Sequence, residues 1–477
     1  MAKFNSPRPT IRTTNREGHV AYSMSDKSKL ITQVLTSFFN EEKFYGDNSD
    51  DILETLDRVI KADPEFVSNL AVFARREFNM RSISHVLTAH LAHEPEGKPF
   101  VRQTVKGVAV RADDITEIMS YYLATFGKPI PNSLKKGIGD VLKTLDEYSL
   151  AKYKGDSKSV KMRDLLCLCR PKPETAAQAA LWKRCIEGTM AIPETWETQL
   201  SARGNKKEVW EDLIRGKKLG YMAMMRNLRN IIKADPENLN DVYDKLRDPV
   251  AVKNSKQLPF RFLSAYKALQ NESLGTSKTY DVLEDALEAS ISNLPKIPGK
   301  TVIAIDISGS MSDPVSAKSD VRCYEIAMLL GLIANRICDD AVVYTFNDGV
   351  SNVTVSRRIS ILNEVSKSRC RGGTYMELPF NAMIQQKIKA DRIIILSDNE
   401  CNSSWRGTVQ SYADQYRRLT GNDIWVHAID LQGYGTQQFH GPKTNIIAGW
   451  SEKVFDFILL AEEDVGSLEK KISEYTW

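Results

Sequence analysis

The sequence predicts a multidomain chain: an all-α region of stacked helical repeats, followed by an α/β doubly wound domain. Three observations predict it. Apolar residues recur three and four apart from about residue 26 to residue 290, the period of amphipathic helices. Beyond residue 300, short apolar runs alternate with amphipathic stretches, the pattern of strands and crossover helices in a mostly parallel sheet. The change falls at Asn293-Leu-Pro-Lys-Ile-Pro-Gly-Lys300, where two prolines and a glycine read as a linker. With 477 residues the chain is too long for one ordinary domain.

Taken in order, residues 1–20 are polar and punctuated by proline, and read as a flexible N-terminal arm. Residues 21–294 form the helical module. Its periodicity is plain in Leu53-Glu-Thr-Leu56-Asp-Arg-Val59-Ile60, in Phe66-Val-Ser-Asn-Leu70-Ala-Val-Phe73 and in Tyr221-Met-Ala-Met-Met-Arg-Asn-Leu228. Two helix starts are marked by Asp63-Pro64 and Asp235-Pro236, where aspartate caps and proline fills the first turn. These starts lie in near-copies, residues 59–65 and 231–237, which point to an α-solenoid of degenerate repeats. Chance similarity at a common helix start is the competing reading. In the last part, residues 299–477, strands are expected at 301–306, 341–346, 392–397, 423–430 and 445–449. Helices are expected near 320–337, 375–389, 408–420 and 452–461.

Bulk composition bounds the function. The longest uncharged apolar run, near Ala327–Ala334, is far too short to span a bilayer, and the N-terminus lacks the apolar core of a secretory signal. Seven widely spaced cysteines do not form a disulfide framework, so a cytoplasmic setting is expected. No nucleophile elbow, Walker loop or His-Glu-x-x-His motif occurs, and His85, His90 and His93 read as packing or phosphate contacts. Charge is uneven: residues 1–300 carry 47 basic and 39 acidic residues, whereas the remainder carries 18 and 22. Within 152–172, Lys152, Lys154, Lys158, Lys161, Arg163, Arg170 and Lys172 face only Asp156 and Asp164. Such a cluster is either a footprint for a polyanion or a solvated face.

Three segments of the last part carry the most specific chemistry. They are Asp306-Ile-Ser308-Gly-Ser310 after one apolar run, Thr374 in Arg-Gly-Gly-Thr, and Asp398 after Arg-Ile-Ile-Ile-Leu-Ser. The carboxyl ends of parallel strands lie side by side, and ligand sites form there. Two carboxylates and three hydroxyls, with no histidine or cysteine, suit Mg²⁺ or another hard divalent cation. Helix capping by Asp306 and Ser310 is the plain alternative. The arrangement resembles the metal-ion-dependent adhesion site of von Willebrand factor A domains. That resemblance implies hydroxyl ligands from Ser308, Ser310 and Thr374, and carboxylates from Asp306 and Asp398. Asn399-Glu400 departs from it, since many such domains have glycine after this aspartate.

The helical half narrows the family. Met162-Arg-Asp-Leu-Leu166, Lys207-Glu-Val-Trp210, Met224-Met-Arg-Asn-Leu228 and Leu258-Pro-Phe260 resemble marker segments of the TROVE module. With the A domain second, and with Asp398-Asn-Glu400 in place, nearly the whole chain is similar to the Ro family. The resemblance implies a ring of HEAT-like repeats closed by the A domain. It implies a non-catalytic ribonucleoprotein component that binds Y-type RNAs on an outer basic surface and 3′ ends of misfolded RNAs in the ring, in RNA quality control. Lys152, Tyr153 and Lys154 match a Lys-Tyr-Lys segment at the family's Y RNA site, and Arg170 stands where the family has an RNA-contacting histidine, just before Lys172. Lys158 and Lys161 are candidates for a second position there, and Lys135 and Lys136 lie on another basic segment. The A domain would carry the cation and a protein partner such as an exoribonuclease; no membrane is expected. Two rivals remain: a protein–protein adaptor, and a metal-dependent phosphoesterase, which would need a base or second metal.

Overall fold

A computed structural model describes residues 11–15, 18–36, 50–153, 159–257, 259–292, 294–314, 320–354, 356, 359–402, 407–449, 452–463 and 468–477. The chain divides into two compact units, one of Asp26–Glu194 with Ser467–Trp477, the other of Met1–Ser25 with Thr195–Gly466.

The first unit is helical throughout its described part. Helices Asp26–Thr36, Asp50–Ala62, Pro64–Arg76, Ser82–His93, Lys98–Val108, Asp114–Phe126, Asn132–Thr144, Glu147–Lys152, Met162–Cys169 and Ala176–Glu187 follow one another, with Leu468–Ser473 added from the C-terminus. The periodic residues point inward as expected: Leu56, Val59, Ile60, Phe66, Leu70 and Phe73 are all buried. Asp63 caps its helix by accepting from the Phe66 N–H at 3.0 Å, with Pro64 in the first turn. The C-terminal residues, expected within the sheet domain, instead belong to this unit. Asn69 donates to the Ser473 carbonyl at 2.9 Å, and Tyr475 meets the Phe73 ring edge-on at 5.2 Å. Burial of Ile472 and the Tyr475 ring against Phe73 favours this placement.

The expected second helix start is not one. Asp235 takes a left-handed φ of 49° and closes helix Tyr221–Ala234 through bonds from its N–H to the Ile231 and Ile232 carbonyls. The next helix, Leu239–Arg247, begins four residues later. The near-copies therefore have different local structures, and their likeness is not that of equivalent repeat positions.

The second unit contains the sheets. Its strands are β1 (Arg12–Thr14), β2 (Val20–Ser23), β3 (Ile297–Asp306), β4 (Cys338–Phe346), β5 (Val350–Asn352), β6 (Arg392–Ser397), β7 (Trp425–Asp430), β8 (Thr436–Gln437) and β9 (Thr444–Ala448). The larger sheet has the order β5-β4-β3-β6-β7-β9. It is parallel except for the β5 edge, with Val302 opposite both Val342 and Ile393. Helices Cys323–Ile337, Ile361–Lys367, Leu378–Gln385, Val409–Thr420 and Val454–Glu463 complete the α/β fold. Every residue of β6 and residues 301–306 of β3 are buried, which explains their unbroken apolar character. β3 begins at Ile297, so the expected linker is partly strand.

Two further features depart from expectation. Residues 12–14, read as part of a flexible arm, pair with β2, and β2 pairs with β8, giving a small antiparallel sheet. Helices between Trp196 and Ile291 share this unit with the sheet and are fastened to it. Lys267 Nζ lies 2.6 Å from the buried Glu325 carboxylate. Glu284 accepts from the Leu362 N–H at 3.1 Å and from Ser360 Oγ at 2.8 Å, capping helix Ile361–Lys367 from outside. Among the described residues no helix is long and apolar enough to cross a membrane. All seven cysteines are free thiols.

Candidate cation site and candidate RNA surface

The three predicted cation-site segments meet at the carboxyl ends of β3 and β6. Asp306 is the last residue of β3, and its Oδ1 accepts from the Ser308 N–H at 2.8 Å. Ser308 Oγ and Ser310 Oγ lie 3.2 Å apart. Backbone bonds lace the loops together: Gly309 N–H to Gly372 O at 2.9 Å and Arg371 N–H to Ile307 O at 2.8 Å. Thr374 is held by Asn402, whose side-chain oxygen accepts the Thr374 N–H at 2.7 Å and whose own N–H donates to the Thr374 carbonyl at 2.8 Å. Asp398 follows β6, and Asn399 after it has φ 60°, a left-handed conformation that glycine and asparagine tolerate best. That requirement gives a physical reason for the Asn399 departure.

Electrostatics set this pocket of oxygens apart. Asp306, Ser308, Thr374 and Asp398 are buried and Ser310 is half-buried. Burial and the nearby Asp398 carboxylate push Asp306 above the usual range. Burial also raises Asp398, whose Oδ2 is buried without a hydrogen-bond partner. Two buried like charges and an orphaned oxygen form a site that a divalent cation would complete, and the donor set fits a hard one. Among the described residues no group of three or more His, Cys, Asp or Glu side chains gathers as metal ligands, so hydroxyls would have to supply the remaining donors.

Sequence reasoning missed three supporting groups. Ser397 Oγ donates to Asp306 Oδ2 at 2.6 Å. Asp430 ends β7 as Asp306 ends β3; burial raises it to about 6. The Trp-Val-His-Ala-Ile run before Asp430 was the available signal. Glu377 is buried beside Cys401 and also raised by burial. The histidines are explained by packing: His85 Nε2 meets Asp114 at 3.1 Å, His90 Nδ1 meets Asp57 at 3.0 Å, and His93 stacks on Phe126 at 4.0 Å.

The candidate RNA residues lie in the helical unit. Lys154 and Lys158 fall outside the described residues. Lys152 ends helix Glu147–Lys152, with its ammonium 5.6 Å from both the Tyr148 and the Tyr153 ring centroids. Tyr153 also faces the Arg111 guanidinium at 5.3 Å, a cation that sequence proximity could not reveal. Arg170 is exposed and left-handed, φ 47°, where helix Met162–Cys169 ends. Helix Asn132–Thr144 packs beside that turn, bringing half-buried Lys135 close to Cys169; Lys136 and Lys172 are exposed. Lys161 and Arg163 line a small pocket with Ala151, Cys185, Met190 and Ile192. Among the described residues, Lys135, Lys136, Lys152, Lys161, Arg170 and Lys172 have no carboxylate partner, whereas Arg102, Lys143 and Arg184 are paired with Asp140, Glu174 and Glu147.

Residues 19–191 and 189–280 match the TROVE domain family, and residues 300–426 match the Ro60 vWA domain. The chain belongs to the TROVE family and is Ro-like. This Ro-like chain is 26% identical to the RNA-binding protein RO60 of Deinococcus radiodurans over 340 residues, which is 60% of this chain and 63% of that protein. It is 26% identical to the RNA-binding protein RO60 of Caenorhabditis elegans over 247 residues, covering 48% of this chain and 38% of that one. Telomerase protein component 1 of Rattus norvegicus is 25% identical over 335 residues, 52% of this chain but 13% of the relative. The chain thus spans less than two thirds of the length of each of these relatives. The crystal structure of the Deinococcus radiodurans RO (RSR) protein has the same fold: TM-score 0.66 at 18% identity, over 92% of this chain and 100% of that one.

Proposed function

We propose that this chain is a non-catalytic RNA-binding protein. It holds small structured Y-type RNAs on the outer basic surface of its helical module and single-stranded 3′ ends of misfolded RNAs within that module. It acts in RNA quality control in the cytoplasm as part of a ribonucleoprotein. The observation that carries this reading is the set of six cations, Lys135, Lys136, Lys152, Lys161, Arg170 and Lys172, that lack a carboxylate partner among the described residues of a TROVE module. Relatives of that module are RNA-binding proteins by name. Lysine and arginine neutralise phosphates and release counterions, giving affinity with little sequence preference, as a sensor of defective RNA needs. Tyr153, half-buried and flanked by Lys152 and Arg111, lies in the same basic run.

The A domain would hold Mg²⁺, or another divalent cation, through Asp306, Ser308, Ser310, Thr374 and Asp398. The cation would supply an open position for an acidic side chain of a protein partner, such as an exoribonuclease. Gel-shift titration with a stem-loop RNA bearing a 3′ single-stranded tail, across a salt series, tests the RNA reading. Tight binding that weakens steeply with salt is expected; binding no stronger than to a neutral polymer refutes it and leaves the adaptor reading.

A further inference from the structure

The small antiparallel sheet is joined to the cation-site loops. Asn15, 5% exposed, closes the turn between β1 and β2: its N–H donates to the His19 carbonyl at 2.7 Å and its Oδ1 accepts the His19 N–H at 2.7 Å. Its remaining side-chain group, Nδ2, donates to the Cys401 carbonyl at 2.8 Å. Cys401 precedes Asn402, the residue that grips both backbone groups of Thr374, and Asn402 Nδ2 lies 3.5 Å from His19 Nε2. A second connection runs through β8. Tyr22 and Ser23 pair with Gln437 and Thr436, and the next residue, buried Gln438, donates to the Asn399 carbonyl at 3.0 Å. Tyr22 adds an edge-on contact with His440 at 4.4 Å. The loop 399–402 lies beyond the end of β6, so no strand ladder of the large sheet fixes it.

We propose that the N-terminal hairpin, through Asn15, is a positioning element for the A-domain cation site. Asn15 holds Cys401, Cys401 places Asn402, and Asn402 sets Thr374; Gln438, carried on β8 beside β2, fixes the turn that follows Asp398. Asn15 is a positioning residue and donates nothing to the cation itself. The inference rests on the cation-site reading above. Groups behind first-layer ligands typically alter metal affinity by about 10- to 100-fold, and a residue acting through two others belongs at the lower end.

The test uses the full chain, stripped of metal and titrated with Mn²⁺, with free ion followed by its paramagnetic resonance signal. The unaltered chain is expected to bind one ion, Asp306→Ala none, and Asn15→Ala about tenfold more weakly, with far-ultraviolet circular dichroism unchanged and partial recovery in Asn15→Gln. Mn²⁺ binding that Asp306→Ala loses but Asn15→Ala keeps at full strength overturns the role of the hairpin alone. No binding by the unaltered chain, or binding retained in Asp306→Ala, overturns the cation site and the hairpin's role together. A second measurement needs no substitution. Coupling is reciprocal, so Mg²⁺ should slow amide hydrogen exchange in the segment containing Asn15 and His19 as well as near Thr374; unchanged exchange in the hairpin on saturation overturns the inference even where Asn15→Ala does not fold.

Discussion

Reversing two charges on the helical unit, Lys152→Glu with Arg170→Glu, should reduce RNA affinity and its salt dependence together. The six cations without carboxylate partners set the scale. If each meets one phosphate of a duplex stem, log affinity falls against log salt with a slope of about −5, and raising salt from about 50 to 200 mM costs roughly three decades. Removing two contacts leaves a slope near −3.6 and a loss of about two decades over the same range. The fold should tolerate the change. Arg170 is exposed at the end of its helix, and Lys152 gives up its contacts with the Tyr148 and Tyr153 rings, worth about 0.5–1 kcal/mol each, and a long hydrogen bond to the Tyr148 hydroxyl at 3.5 Å. A glutamate in the last turn of helix Glu147–Lys152 meets the negative helix end at a further cost of about 0.5 kcal/mol. The assay is filter binding of a labelled stem-loop RNA at five salt concentrations, with a urea melt as the control on folding. A double variant that keeps both its affinity and its slope would refute the placement of the RNA on this surface.

Three other outcomes follow from the geometry. Asp306→Ala should abolish the rise in melting temperature that Mg²⁺ produces, roughly 5–10 °C at a hundredfold excess over its dissociation constant, while leaving RNA affinity unchanged; an undiminished Mg²⁺ shift in that variant argues against the site. Asp114→Asn should destabilise the helical unit by about 3–5 kcal/mol, because buried Asp114 answers Arg75 at 3.0 Å, Arg81 at 2.6 Å and His85 at 3.1 Å; urea unfolding within 1 kcal/mol of the unaltered chain, roughly the cost of one ordinary hydrogen bond, contradicts the role of that network. In the sheet unit, burial lowers His427 below its ordinary value, and Glu462, which burial alone would raise, is brought down to about 2 by bonds from His427 at 2.9 Å and Arg392 at 2.6 Å. A neutral buried His427 loses stability as pH falls below about 6.5, and ionised Glu462 contributes stability above about 4.5 that fades toward pH 2. Asp306, Asp398 and Asp430 of the same unit, raised by burial, gain stability as pH falls through this range, so the linkage is read by difference: the urea midpoint of the unaltered chain relative to that of His427→Gln should fall between pH 7 and pH 4, and a flat difference would show that His427 is not linked to folding.

What could be read from the sequence divides along the distance over which each structural cause acts. β3 and β6 are legible because a strand flanked by parallel neighbours and covered on both faces has to be apolar along its whole length. The five candidate cation-site residues could be brought to one end of the sheet on paper for a related reason: each lies at or just after a strand end or a glycine turn, positions that local pattern identifies. The β1–β2 hairpin is not legible, since its outer strand is exposed and three residues long, and its inner strand pairs with residues more than 400 positions away. Asp63 and Asp235 share a motif, but tertiary context makes one a helix start and the other a helix end. The candidate RNA surface shows the same limit in electrostatic form. Sequence counts charges, but attraction for a polyanion depends on which remain unanswered after folding. Arg102, Lys143 and Arg184 are already matched by Asp140, Glu174 and Glu147, and Arg111, which reaches the Tyr153 ring from outside the basic run, is matched by Asp113 at 3.1 Å. A footprint for nucleic acid would thus be a property of pairing, which the charge count of the run at 152–172 does not by itself reveal.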